Sequence, residues 1–158
     1  MEEYIRTRHS VYRLTYHMVF VTKWRKPVIS DHIGDFMVND ARRLCKGYGG
    51  ELLSGETDKD HVHLLVSLPP QCDVSLIVRS LKTQLSRSIH SHPEHSREVQ
   101  KYLKGDVPLW SPSYFIATTG SVSMETVKSY IEGQRTDEHQ RKYKKKSEYW
   151  EQFKDPRP

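Results

Sequence analysis

One stretch limits what this chain can become more than any other: Asp60-His61-Val62-His63-Leu64-Leu65-Val66-Ser67-Leu68-Pro69-Pro70. Successive side chains of a β-strand point to opposite faces. Val62, Leu64, Val66 and Leu68 therefore make one unbroken apolar face, the pattern of a half-buried strand in an antiparallel sheet. His61, His63, Leu65 and Ser67 take the other face, so two imidazoles stand next to each other where the strand leaves a turn. Imidazole is the commonest protein ligand for metal ions, and i, i+2 spacing on a rigid strand aims both rings at one place. A second His-x-His, His90-Ser91-His92, lacks that support, because it lies in a Ser/His/Pro stretch at 90–97 that reads as a loop. The alternation, rather than the pair itself, makes His61 and His63 the candidate metal site.

The rest of the chain supplies partners for this strand. Residues 1–10 read as a polar arm with Arg6, Arg8 and His9. Residues 11–23 read as one strand, with Tyr12, Leu14, Tyr16, Met18 and Phe20 on one face and Arg13, Thr15 and His17 on the other. Pro27, which cannot donate to a ladder, lies beyond its end. Ser30-Asp31 opens a helix to about Gly47 with an apolar stripe of Ile33, Phe36, Met37, Ala41, Leu44 and Cys45. A short strand at 51–56 and a turn at 57–59 lead into the histidine strand as a hairpin. Asp73 opens a second helix to about Ile89, with Val74, Ile77, Val78, Leu81 and Leu85 inward. A short polar helix is predicted at 96–104, an aromatic strand bent by Pro112 at 109–119, and a third helix capped by Ser123. The order β-α-β-β-α-β plus a helix predicts an α+β fold: an antiparallel sheet of ferredoxin/RRM-like βαββαβ topology. In it the first and third strands are central neighbours, helices cover one face, and the open face carries His61, His63 and His17.

A chain of 158 residues suits one domain with a proper core. We expect that domain at 1–135, with 136–158 as a basic and aromatic extension containing Arg141-Lys142-Tyr143-Lys144-Lys145-Lys146, Tyr149, Trp150 and Phe153. Lys and Arg outnumber Asp and Glu by 25 to 20, a net +5 that suits a polyanionic partner. Lys23, Arg25 and Lys26 cluster after the first strand, and Arg79 and Lys82 share a face of the second helix, so these are the candidate phosphate contacts. There is no apolar run near the length of a membrane span and no signal-peptide pattern. Cys45 and Cys72 are far apart without a secretory context, which reads as reduced thiols of a cytoplasmic protein.

The third helix carries Tyr130 and Gln134, i, i+4 on one face beside the apolar stripe of Met124, Val127 and Ile131. A phenol becomes a nucleophile when a nearby cation lowers the cost of its phenolate, and a glutamine carbonyl is a hard oxygen donor. Asp60-His61-Val62-His63-Leu64-Leu65 followed by Tyr130-Ile131-Glu132-x-Gln134 resembles the single-tyrosine transposases of small bacterial insertion sequences, members of the HUH endonuclease superfamily. The resemblance runs from Val11 to Gln134 and takes in Tyr16-His17, Glu56, Leu81-Lys82 and Leu109-Trp110-Ser111-Pro112-Ser113-Tyr114. It implies a transposase in which His61, His63 and Gln134 hold one Mg²⁺ or Mn²⁺ and Tyr130 attacks single-stranded DNA to form a 5′-phosphotyrosine. It also implies hairpin-bearing DNA ends and a homodimer whose tyrosine helix can pack on the partner's histidines, with hinges at Thr119-Gly120 and Gly133. Beside a metal-dependent phosphodiesterase with activated water as nucleophile, for which Tyr130 would be dispensable, two other readings compete. One is a replication initiator or relaxase-like nickase of the same superfamily. The other is a non-catalytic single-stranded nucleic-acid-binding module, whose open face would offer stacking aromatics rather than histidines.

Overall fold

The computed structural model describes residues 4–118 and 129–134. Its elements are β1 (Ile5–Arg6), β2 (Val11–Tyr12), β3 (Thr15–Val21), α1 (Asp31–Gly47), β4 (Glu51–Asp58), β5 (His61–Ser67), α2 (Val74–Ser91), α3 (Pro93–Gln100) and β6 (Phe115–Thr118). The four longer strands form an antiparallel sheet in the order β4-β5-β3-β6. The first and third strands of the expected topology are thus its central pair. The alternation that defined the histidine strand is obeyed: Val62, Leu64 and Val66 of β5 and Met18 and Phe20 of β3 are fully buried in the main core. Ile33, Met37, Ala41 and Cys45 of α1 and Ile77, Val78, Leu81, Leu85 and Ile89 of α2 close over them. Asp73 caps α2 by accepting from the Leu76 amide at 3.2 Å. α1 approaches β4 so closely that a Cβ at Gly34 would run into Thr57 Oγ1.

Three expectations are corrected. Residues 11–23 are not one strand. β2 leaves the sheet to pair with β1 in a separate hairpin closed around Thr7 and Ser10, and only β3 joins β5 and β6. The chain returns to the sheet at Leu14, whose carbonyl accepts from the Leu68 amide at 3.0 Å. Residues 90–97 are not a loop. α2 continues to Ser91, and α3 starts at Pro93 with His92 as its cap and its proline in the first turn, where a missing N–H costs nothing. Of the strand predicted at 109–119, the described residues 109–118 supply one short strand, β6, preceded by an isolated bridge between Trp110 and Thr22. Ser30 is the cap of α1 by position, but its side-chain oxygen accepts from no helix amide, and its hydroxyl donates to Glu98 Oε2 at 2.9 Å.

Among the described residues no helix is long and apolar enough to cross a membrane. Residues Thr119, Gly120, Ser123, Met124 and Val127 and the 136–158 extension lie outside the described residues.

Candidate active site on the open sheet face

The strand register builds the site. In the β3–β5 ladder Val19 faces His63 and Val21 faces His61, and in the β3–β6 ladder Val19 faces Phe115. Directly paired residues point to the same face, so His61, His63, Val19, Val21 and Phe115 share the side away from α1 and α2. Residues 129–132 form a helical turn lying on this surface, with Tyr130 packed on Val19, Val21 and Phe115. Tyr130 is 5% exposed, far more covered than a residue at the edge of a helix stripe would be. Adjacent strands are about 4.8 Å apart, so the row that seats the tyrosine ring is the row next to the histidines. Ile131 and Glu132, on the same turn, line an open cleft of about 650 Å³ together with Arg25, Glu56, Asp60, His61 and His63.

Each histidine has a defined setting. Asp60 Oδ1 lies 2.9 Å from His61 Nδ1 and its other oxygen accepts from Arg25 Nε at 3.0 Å. Burial alone would raise the Asp60 carboxyl, but the hydrogen bonds from His61 and Arg25 and the charge of Arg25 hold it below the usual carboxylate range. An ionised carboxylate only accepts, so His61 carries its proton on Nδ1 and turns the lone pair of Nε2 outward. His63 Nε2 lies 2.8 Å from His17 Nδ1. Burial, then the neighbouring His17, lowers the His63 pKa, against the opposing pull of Glu56, its cross-strand partner. Both imidazoles can coordinate an ion, His61 through Nε2 and His63 on exchange of its contact with His17. Among the described residues no group of three or more His, Cys, Asp or Glu side chains is placed to hold a metal ion.

The other predicted residues are distributed as follows. Gln134 is buried, and its Oε1 accepts from Ser111 Oγ at 3.1 Å and Ser113 Oγ at 3.4 Å. Gln134 does not line the histidine cleft, whereas Glu132 does. Arg25 enters the site through Asp60, and Lys23 lies with its ammonium 5.5 Å from the Trp24 ring centre. Trp24 and Arg25 both have left-handed backbone, with φ of 55° and 53°, which marks the turn beside the cleft as strained. Lys26 is half-buried on the same turn. Arg79 is exposed on α2, but Lys82 turns inward and donates to the carbonyls of Ser111 at 2.8 Å and Ser113 at 3.2 Å. The roles of Ser111, Ser113 and Glu132 were not legible, because hydroxyls and a carboxylate in loops and on exposed turns carry no periodic signal. Asp60 had one signal available: a carboxylate directly before a candidate metal-binding histidine.

These elements define a small α+β protein that joins a histidine pair and a buried tyrosine on one open sheet face. The family model for IS200-like transposases matches residues 10–134. The ISDra2 transposase TnpA of Deinococcus radiodurans is 32% identical over 132 residues, 83% of this chain and 91% of that one. The transposase of insertion sequence element IS200 from Salmonella typhimurium is 25% identical over 126 residues, 80% of each chain. A crystal structure of a putative transposase from Deinococcus radiodurans superposes with a TM-score of 0.74 at 30% identity, covering 84% of this chain and 98% of that one. The chain belongs to the IS200-like transposase family, and it is a DNA transposase.

Proposed function

We propose that this transposase cleaves and rejoins single-stranded DNA through Tyr130, beside one divalent ion, Mg²⁺ or Mn²⁺, held by His61 and His63. The observation that carries the reading is the shared face: Tyr130 packs on Val19 and Val21, the direct cross-strand partners of His63 and His61. When bound, the ion polarises the scissile phosphate and stabilises the charge that develops on it. Tyr130 Oη forms a bond to phosphorus as the bond to the 3′ oxygen breaks. The 5′ phosphate stays on the tyrosine, and the proton lost by the phenol is matched by the one gained by the free 3′-OH. The phosphodiester energy is kept in the phosphotyrosine, so attack by another 3′-OH rejoins DNA without a nucleotide cofactor.

Asp60, itself held by Arg25, orients the His61 ring through Nδ1, and burial lowers the His63 pKa. The resemblance to single-tyrosine transposases adds Gln134 to the donor set, and its carbonyl oxygen suits either ion once it exchanges its bonds to Ser111 and Ser113. The same resemblance supports hairpin-bearing ends of an insertion sequence as substrate and a homodimer as the working unit. Lys23, Arg25 and Lys26 beside the cleft, and Arg79 on α2, supply positive charge for phosphates.

The test is incubation of the full chain with labelled single-stranded DNA from the flanks of its gene and Mg²⁺ or Mn²⁺. A covalent adduct that survives denaturation is expected, and Tyr130→Phe loses it by roughly 10³-fold or more while DNA binding persists. An adduct of normal yield in Tyr130→Phe moves the nucleophile elsewhere, with Tyr114 the next to test.

A further inference from the structure

We propose that Ser113 is a positioning residue for the Tyr130 hydroxyl, and that Lys82 holds Ser113 in register from the helical side of the sheet. The proposal rests on the reading of Tyr130 as nucleophile. The segment 110–113 is fastened at several points. The Trp110 indole Nε1 donates to the Lys82 carbonyl at 3.0 Å, and the Ser111 amide donates to the Val21 carbonyl at 2.8 Å. Lys82 then reaches between the rings of Phe20 and Tyr114, 6.0 and 5.8 Å from their centres, and donates to two carbonyls of the segment. Burial pushes the Lys82 pKa down to about 8, so the ammonium is still charged at neutral pH and both bonds are charge-assisted.

With the main chain held there, both serine hydroxyls are directed at the tyrosine turn. Ser111 Oγ donates to Gln134 Oε1, while Ser113 Oγ reaches Gln134 Oε1 and lies 3.0 Å from Tyr130 Oη. The floor under the phenol ring is apolar: Val19, Val21 and Phe115, the last with its ring centre 5.5 Å away. Apolar packing sets the plane of a ring but exerts little control over where its oxygen points. A hydrogen bond with a fixed hydroxyl supplies that direction, and misplacement of a nucleophile by about 1 Å costs on the order of 10²-fold in rate. Lys82 is thereby a structural fastener rather than a phosphate contact.

The experiment compares Ser113→Ala, Ser113→Thr, Lys82→Met and Tyr130→Phe in the full chain. Readouts are the single-turnover rate of adduct formation on saturating single-stranded DNA with Mg²⁺, the DNA Kd, and the thermal midpoint. Ser113→Ala should slow adduct formation about 10-fold or more with Kd within about twofold, and Ser113→Thr, which keeps the hydroxyl, should restore most of the rate. Lys82→Met, similar in length and without donors, should slow the same step without weakening DNA binding. A wild-type rate in Ser113→Ala overturns the proposal, as does a Ser113→Thr as slow as the alanine variant. Weaker DNA binding with an unchanged rate in Lys82→Met returns that residue to the phosphate contacts and overturns its part. If Lys82→Met does not fold, the two Ser113 variants decide the matter. Tyr130→Phe keeps the two readings apart: an adduct surviving there removes the nucleophile assignment, whatever Ser113 does.

Discussion

Two groups of three histidines stand on opposite sides of the sheet, and their neighbours make them different things. On the open face His17, His61 and His63 sit on β3 and β5, with Asp60, Arg25 and Glu56 around them and a cleft in front. On the helical side His32 of α1 and His92 and His95 at the start of α3 meet Phe36, with the His92 and His95 rings stacked at 3.8 Å and Phe36 against His95 at 4.8 Å. There His92 caps α3 by accepting from the His95 amide, and His32 Nε2 lies 2.6 Å from Glu98 Oε1. The second group uses its rings for packing; His92 caps α3, His32 meets Glu98, and His95 Nδ1 is buried without a hydrogen-bond partner among the described residues. In the first group a carboxylate holds one proton in place and leaves the opposite nitrogen facing a cleft. Histidine count does not separate the two; the position of one carboxylate and the presence of open space do.

The contrast breaks most easily by exchange of losses. His61→Ala should reduce ion-dependent adduct formation by roughly 10²-fold or more while the thermal midpoint barely moves. His95→Ala should leave adduct formation intact and cost roughly 1–2 kcal/mol of stability, read by chemical denaturation. Equal losses of activity in both would erase the distinction between the groups. Asp60→Asn sharpens it further. It keeps the size of the side chain but lets the amide favour the other His61 tautomer, so Mn²⁺ affinity measured by calorimetry should fall about 10- to 100-fold.

The smallest effect is the pH dependence of stability, to which both groups contribute with the same sign. Burial, then His92 and His32, lowers the His95 pKa, against Glu98 and Glu94, and His63 is lowered as well. The unfolded chain then takes up these protons first, so stability is fully present above the ordinary value of 6.5 and declines as pH falls below it. Glu98, lowered by Ser30 and His32 against the effect of burial, adds stability above its ordinary 4.5 that is lost as pH falls through its folded value. A melting series from pH 8 to pH 4 should decline in that order, and His95→Leu should flatten the first step. A midpoint that rises between pH 7 and pH 5 would mean that the histidines gain charge on folding.

What the sequence by itself determined follows from local periodicity. The alternation at 61–68 placed four apolar residues inward and His61 and His63 outward, and the helical spacing from Ile33 to Cys45 and from Ile77 to Ile89 marked the buried stripes of α1 and α2. Periods of 2 and 3.6 residues can be read without knowledge of any partner, and burial of apolar area is strong enough to enforce them. Tertiary structure alone decided which polar groups meet. Arg25 finds Asp60 across 35 positions, Lys82 finds Ser113 across 31, and Ser113 finds Tyr130 across 17. Lys82 illustrates the reason. Helical spacing gave its side of α2, but whether its long side chain runs to solvent or folds inward depends on the Ser111 and Ser113 carbonyls, which lie in the segment just before β6. Hydrogen bonds and ion pairs are short-ranged and directional, so their partners exist only once distant segments have been packed together.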